Sequence, residues 1–203
     1  MITIIDYGMG NLGSIHNMFK RIGAESEITN DLEIISKAKK LLLPGVGNFD
    51  KAVSIIESEG LKTLLDRKVL VDKTPILGIC LGMQLLTNES EEGDLKGFSW
   101  IPSRTIKFKF DNNHYKIPHM GWNLVTSKCS DQLIHGLPEE PKFYFVHSYY
   151  VKVEDENNSL LKTKYGGIEF DSAIHRDNIW GTQFHPEKSH KFGMKLLENF
   201  AKV

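Results

Sequence analysis

The sequence predicts an α/β fold: a central, mostly parallel sheet flanked by helices, carried by residues 1–203 as one domain. Three observations carry that reading. Short, largely apolar runs recur through the first half, at Ile2-Thr3-Ile4-Ile5, Leu41-Leu42-Leu43 and Pro75-Ile76-Leu77-Gly78-Ile79. Such runs mark strands buried on both faces. Helix-spaced segments separate them, and parallel strands need such crossovers. The second half changes character, with β-branched and aromatic stretches divided by turn-like clusters, which predicts additional antiparallel strands.

Taken in order, Ile2–Tyr7 is a strand running into the loop Gly8-Met9-Gly10. From Asn11 to Ile22, Leu12, Ile15, Phe19 and Ile22 fall on one helical face. Ser26–Thr29 is a short strand. Asn30 or Asp31 then caps a brief helix through Ala38. The strand Leu41–Leu43 ends in Pro44-Gly45-Val46-Gly47, helices follow at Phe49–Ser58 and Leu61–Lys68, and Leu81–Thr87 opens a further helix after the third apolar run. Trp100–Phe110, Tyr115–Thr126 and Phe143–Val153 read as strands in hairpins or in a mixed extension of the sheet. Asp111-Asn112-Asn113, Asp155–Asn158, Tyr165-Gly166-Gly167 and Arg176-Asp177-Asn178 read as turns. Ile179–Phe184 is a last strand. A closing helix from about Ser189 shares Phe192, Leu196, Leu197 and Phe200 on one face.

Composition removes several function classes. Lys and Arg number 25, Asp and Glu 26, so the net charge is −1 and gives no bulk attraction to nucleic acid or an anionic membrane. No apolar stretch reaches the ~20 residues a bilayer-spanning helix needs. The N-terminus lacks the basic segment of a signal peptide. Two cysteines, Cys80 and Cys129, make neither a disulfide scaffold nor a zinc pair. A reducing, cytoplasmic setting is the expectation.

Gly78-Ile79-Cys80-Leu81-Gly82 sits where a buried strand meets a helix. That is a nucleophile elbow with Cys in place of Ser. A side chain at either glycine would crowd the sharp turn. The turn holds the sulfur at a helix N-terminus, where free N–H groups favour the thiolate. The alternative is a small buried hydrophobe. His185-Pro186-Glu187 supplies partners at a strand end. In extended chain, residues i and i+2 face one side, so Glu187 can hold one ring nitrogen while the other faces the thiol. Gly45, Val46 and Gly47 form a flexible strand end able to aim a backbone N–H at an oxyanion, with the Leu81 N–H as a second donor.

Cys129 lies in the polar turn Ser127–Ser130 and receives no role. His114, His119, His135 and His147 lack metal-ligand spacing. Gly8-Met9-Gly10-Asn11-Leu12-Gly13 matches a dinucleotide fingerprint, but no acidic residue follows at the ribose position. No cofactor and no metal are expected.

Gly78–Gly82 followed by Met83-Gln84, together with His185-Pro186-Glu187, resembles the class I, triad-type glutamine amidotransferases. Pro44–Gly47, Pro118-His119-Met120-Gly121-Trp122-Asn123, Phe143–Tyr149 and Gln183–Ser189 resemble the branch formed by the glutaminase subunits of imidazole glycerol phosphate synthase. The similarity spans essentially the whole chain. It implies a flavodoxin-like mixed sheet. It also implies that Cys80 attacks the glutamine amide, His185 moves protons and Glu187 orients His185. Gly47, Gln84, His147 and Ser148 would bind glutamine, and Val46 would donate to the oxyanion once the Gly45–Val46 peptide is turned. Ammonia would pass through a channel to a (β/α)₈-barrel cyclase subunit, with Asn11, Trp122, Tyr144 and Lys188 at or near that interface. As residues alone, Trp122 and Tyr144 read equally as core aromatics, Asn11 as a helix cap and Lys188 as a solvated charge.

Two departures leave the pathway open. Gly97-Phe98-Ser99-Trp100 and Ser189-His190-Lys191-Phe192-Gly193 differ from the branch pattern. Similar glutaminases supply ammonia to a sugar amidotransferase in surface-polysaccharide synthesis. A stand-alone cysteine γ-glutamyl hydrolase is a further alternative. An inactive scaffold fits poorly with an intact Cys80, His185 and Glu187.

Overall fold

The structure, a computed structural model, describes residues 1–111, 114–127 and 129–203. Asn112 and Asn113 of the expected Asp111–Asn113 turn, and Lys128 of the Ser127–Ser130 turn, lie outside the described residues.

The first half alternates strand and helix as the apolar runs predict. β1 (Ile2–Ile5) leads to α1 (Leu12–Arg21), β2 (Ser26–Thr29), α2 (Leu32–Lys37) and β3 (Leu41–Gly45). α3 (Phe49–Ser58) and α4 (Leu61–Asp66) follow, the latter continuing as a π turn, Arg67–Val71. β4 (Ile76–Cys80) then runs straight into α5 (Leu81–Leu85). The expected cap at Asp31 forms, accepting from the backbone N–H of Glu33 and Ile34, and Asn48 caps α3 by accepting from that of Lys51. Such caps contribute about 1 kcal/mol each. Helix α5 stops earlier than expected, because Thr87 Oγ1 donates to the Gln84 carbonyl and ends the turn.

The second half supplies β5 (Glu89–Ser90), β6 (Ser103–Lys107), β7 (His119–Leu124), β8 (Thr126–Ser127), β9 (Lys142–His147), β10 (Tyr149–Val153), β11 (Ser159–Tyr165), β12 (Ile168–Arg176) and β13 (Ile179–Thr182). Helix α6 (His190–Lys202) closes the chain. The expected continuous strand Phe143–Val153 is broken at Ser148. Its first part pairs with β7 in a separate two-stranded ribbon, and its second part joins the main sheet. β11 and β12, joined at Gly166-Gly167, form a long hairpin that sequence reasoning marked only by its turn.

Among the described residues the main sheet has 11 strands, ordered β2-β1-β3-β4-β13-β12-β10-β6-β5 with β11 and β8 off that path. β2, β1, β3, β4 and β13 run parallel, and the strands beyond are mostly antiparallel. The parallel strands send alternate residues to two cores. Ile5, Leu41, Leu43 and Ile76 meet α2, α3 and α4, whereas Ile4, Leu42, Leu77 and Ile79 meet α1 and α6. Burial on both faces explains why these strands read as unbroken apolar runs.

Candidate active site

The parallel strands β3, β4 and β13 lie side by side with β4 in the middle. Gly45 is in register with Cys80, and Thr182 with Ile79. The loops after all three strands therefore meet at one edge of the sheet, the carboxyl edge where open α/β sheets bind ligands.

Cys80 adopts φ 56° and ψ −109°, a conformation that L-residues avoid. The flanking glycines permit it. A Cβ on Gly82 would fall 1.9 Å from the Leu43 carbonyl oxygen, and one on Gly78 would fall 2.6 Å from the Gly82 carbonyl oxygen. Both contacts are with backbone, so strand and helix approach this closely only because neither residue has a side chain. The thiol is buried beside the first turn of α5.

His185 and Glu187 stand opposite. His185 Nδ1 lies 2.8 Å from Glu187 Oε1, with the two side chains 3% and 1% exposed. A carboxylate only accepts, so Nδ1 carries the proton. The pair meets by a different route from the one expected. Pro186–Lys188 is a 3₁₀ turn, not extended chain, and that turn folds Glu187 back under the ring. Ser189 Oγ donates to the His185 carbonyl and accepts from the Tyr144 N–H, while the His185 N–H donates to the Tyr144 carbonyl. His185 Nε2 is buried and has no hydrogen-bond partner among the described residues. Burial opposes a charged ring here, but interactions with Cys80 and Glu187 outweigh it and raise His185 to about 10. A buried imidazolium needs an anion at its second nitrogen, and the Cys80 thiolate is the group that can supply it.

A cavity of about 360 Å³ opens at Cys80, lined by Val46, Gly47, Leu81, Gln84, Glu92, His147, Ser148, His185 and Lys188 among others. It can take a small polar ligand. The break between β9 and β10 turns Ser148 and its neighbours into this wall. Another cavity, of about 370 Å³, surrounds Cys129 and Asp131, but Asp131 is committed to the Leu133 N–H and the Trp180 indole N–H. Burial and then the Asp131 charge push the Cys129 thiol up, the reverse of an activated cysteine.

Four groups that sequence reasoning left out converge on the site. Glu92 lines the cavity and accepts from the Phe49 N–H at 3.1 Å. Its burial, only partly offset by that bond, pushes its carboxyl up. The Tyr7 hydroxyl donates to the Pro44 carbonyl at 2.7 Å and so braces the strand end before Gly45. Burial, with the Cys80 charge, pushes the Tyr7 phenol far up. Gln183 lies between Gln84 and Cys80. His119 joins the expected His147 in a relay. His147 Nδ1 donates to the Tyr149 carbonyl at 2.6 Å, which leaves its Nε2 to accept from His119 Nδ1 at 2.9 Å. His119 Nε2 then accepts from Asn123 at 3.2 Å. Burial holds both rings neutral, lowering His119 to about 4 and His147 to about 3. The bonds Glu92–Phe49, Tyr7–Pro44, Gln183–Gln84, Gln183–Cys80 and His119–His147 join distant segments and so have no local sequence signal.

Of the remaining expected residues, Trp122, Tyr144 and Lys188 lie together beside the cavity. Trp122 is 46% exposed, is T-shaped to Tyr144 at 6.3 Å and stacks on His190 at 5.4 Å. Lys188 Nζ sits 5.8 Å from the Tyr144 ring centroid. Trp122 is thus not a core aromatic. Asn11 precedes α1 without a side-chain capping bond, which removes its reading as a cap. No three His, Cys, Asp or Glu among the described residues are grouped to hold a metal ion, and no helix there is long and apolar enough to cross a membrane.

Comparison with known proteins places the chain in a family. The family model described as glutamine amidotransferase class-I matches residues 3–203. The chain is 59% identical over 202 residues to "Imidazole glycerol phosphate synthase subunit HisH 2" of Methanococcus maripaludis, covering 100% of this chain and 99% of that one. It is 44% identical over 203 residues to the protein of the same name from Pseudomonas aeruginosa, covering 100% of both. Among solved structures, a chain of PurLQS from Thermotoga maritima superposes with a TM-score of 0.75 over 99% of this chain and 97% of that one. At 15% identity this last likeness speaks for the fold alone.

Proposed function

The chain belongs to the class I glutamine amidotransferases, and from that premise we propose that it is the glutaminase subunit of imidazole glycerol phosphate synthase, acting as one domain over residues 1–203. The observation that carries the reading is the buried His185–Glu187 pair with its free ring nitrogen toward a strained cysteine.

On this reading the Cys80 thiolate attacks the side-chain carbonyl carbon of glutamine. Negative charge gathers on the carbonyl oxygen, facing the N–H groups of Val46 and Leu81. His185 gives its Nε2 proton to the departing nitrogen, so ammonia leaves and a γ-glutamyl thioester remains on Cys80. His185 then takes a proton from water, hydroxide attacks the thioester, and glutamate and thiolate are released. Glu187 holds the ring and its charge. Gln84, Gly47, His147 and Ser148 surround the substrate, and the Glu92 carboxylate offers a partner to its α-ammonium.

The names of the full-length relatives describe a subunit, so this chain works with a partner. That partner is a (β/α)₈-barrel cyclase, seated on the face carrying Asn11, Trp122, Tyr144 and Lys188. Ammonia released in the cavity passes to it for incorporation into a ribonucleotide in histidine biosynthesis, in the cytoplasm. One observation supports a second reading with the same glutaminase and a sugar amidotransferase as acceptor: His190, in the departing segment, stacks directly on Trp122 of the partner face.

Co-expression with the organism's barrel cyclase tests the proposal. A stable complex should form imidazole glycerol phosphate from its nucleotide substrate with glutamine or with ammonium salt. Ammonia production from glutamine without nucleotide conversion would move the assignment to the second reading.

A further inference from the structure

Gln183 is 0% exposed, yet it is an amide in a position that an apolar side chain would fill. Its backbone N–H donates to the Ser172 carbonyl at 2.9 Å, which ties it to β12 just beyond the end of β13. Both ends of its side chain are engaged. Oε1 accepts from Gln84 Nε2 at 3.0 Å, and Nε2 donates to Cys80 Sγ at 3.7 Å, within the reach of a hydrogen bond to sulfur. Gln84 faces the cavity and Cys80 is its nucleophile, so a single amide bridges the two.

Resting on the glutaminase reading, we propose that Gln183 is a further catalytic residue: its amide N–H is the second donor to the Cys80 thiolate, and its carbonyl holds Gln84 in register with that sulfur. A buried anion with one partner is poorly stabilised. The imidazolium of His185 offers one N–H, and Gln183 offers another that does not depend on proton position. A neutral donor stabilises the charged sulfur before attack and again when hydrolysis of the thioester releases it. The bond from Gln84 gives the bridge its direction: a Gln84 N–H must point at an acceptor, so Gln183 turns its oxygen that way and its nitrogen toward sulfur. The sequence hides this role because Gln183 looks like a strand residue before the His-Pro-Glu segment.

Two near-isosteric variants separate the two halves of the bridge. Gln183→Glu keeps the oxygen for Gln84 and loses the donor to sulfur. Gln183→Met loses both. The titratable neighbours of Cys80 are His185 and Glu187 after β13, Tyr7 after β1, and Glu92, His147 and Lys188 around the cavity, and both variants leave them in place. Alkylation of the full-length chain by iodoacetamide, in a Cys129→Ser background, reads the thiolate directly and needs no glutamine turnover. We expect the alkylation profile to move up by about one pH unit in Gln183→Met and further in Gln183→Glu. In the barrel complex, kcat should fall about tenfold or more in both variants, while KM for glutamine rises only in Gln183→Met. An unshifted alkylation profile in a variant that melts like the parent would overturn the proposal. So would a loss of kcat in Gln183→Met that Gln183→Glu restores. If the parent complex itself fails to hydrolyse glutamine, the glutaminase reading fails, and the alkylation shift still decides whether Gln183 serves the thiolate.

Discussion

His185 Nδ1 meets Glu187 Oε1 at 2.8 Å inside the protein, across a 3₁₀ turn that reverses the chain between them. The contact fixes the tautomer, and with it the direction of every proton transfer that His185 can perform.

Replacing Glu187 with Gln should therefore slow turnover by about 10³- to 10⁴-fold, because an amide cannot support the imidazolium as a carboxylate does. Thioester formation should remain detectable by rapid quench. Turnover at the parent rate would remove Glu187 from the catalytic group.

Cys80→Ala should abolish glutamine-dependent synthesis in the complex and leave ammonium-dependent synthesis intact, since Cys80 acts only in releasing ammonia. Assays with each nitrogen source check this division. Cys129→Ser should be kinetically silent, because burial and Asp131 disfavour that thiolate.

Gly82→Ala should lower the melting temperature as well as activity. Its Cβ would fall 1.9 Å from the Leu43 carbonyl oxygen, so β3 and α5 would have to separate. A strain of about 2 kcal/mol corresponds to a drop of roughly 4–8 °C for a chain of this size. An unchanged melt would show that the elbow tolerates a side chain.

Acid sensitivity should come from the His147–His119 relay. Both rings are held below the ordinary histidine value, at about 3 and about 4. Between about 6.5 and 4 the unfolded chain binds protons that the folded chain refuses, so stability falls as pH falls. The slope should approach about 1.4 kcal/mol per pH unit for each histidine. Denaturant melts across this range should flatten in His119→Asn. An equal slope in that variant would assign the acid limb elsewhere.

The loop Pro44–Gly47 predicts a switch. Two glycines flank Val46, so the Gly45–Val46 peptide can rest with its N–H turned away from the cavity. One absent oxyanion donor costs roughly 10²–10³ in rate. The free chain should thus hydrolyse glutamine slowly, the complex faster, and the complex with nucleotide ligand fastest. Equal rates in all three would contradict the switch and favour a stand-alone hydrolase.

What could be read in the sequence follows from how local each signal is. The elbow Gly78–Gly82 encodes its geometry within five residues, His185-Pro186-Glu187 names the two partners but not the 3₁₀ turn that joins them, and the largely apolar runs announce β1, β3 and β4 because those strands are buried on both faces. The split of Phe143–Val153 at Ser148 was hidden, since both halves have strand composition and only pairing with β7 or β6 tells them apart. The β11–β12 hairpin was marked by Gly166-Gly167 alone. Its buried Lys162, paired with Glu156 and Asp171, breaks the apolar pattern of an inner strand. Tyr7, Glu92, His119 and Gln183 reach the site from four separate segments, and each is identified by a tertiary contact rather than a motif.

The central claim is covalent: glutamine is hydrolysed through a γ-glutamyl thioester on Cys80. Acid quench of the Glu187→Gln complex during turnover, followed by peptide mass mapping, measures this directly. A glutamyl adduct should appear on the peptide containing Cys80, none on the peptide containing Cys129, and none in a variant that also carries Cys80→Ser. Ammonia release from glutamine at the parent rate by Cys80→Ala, or an adduct on Cys129, would contradict it.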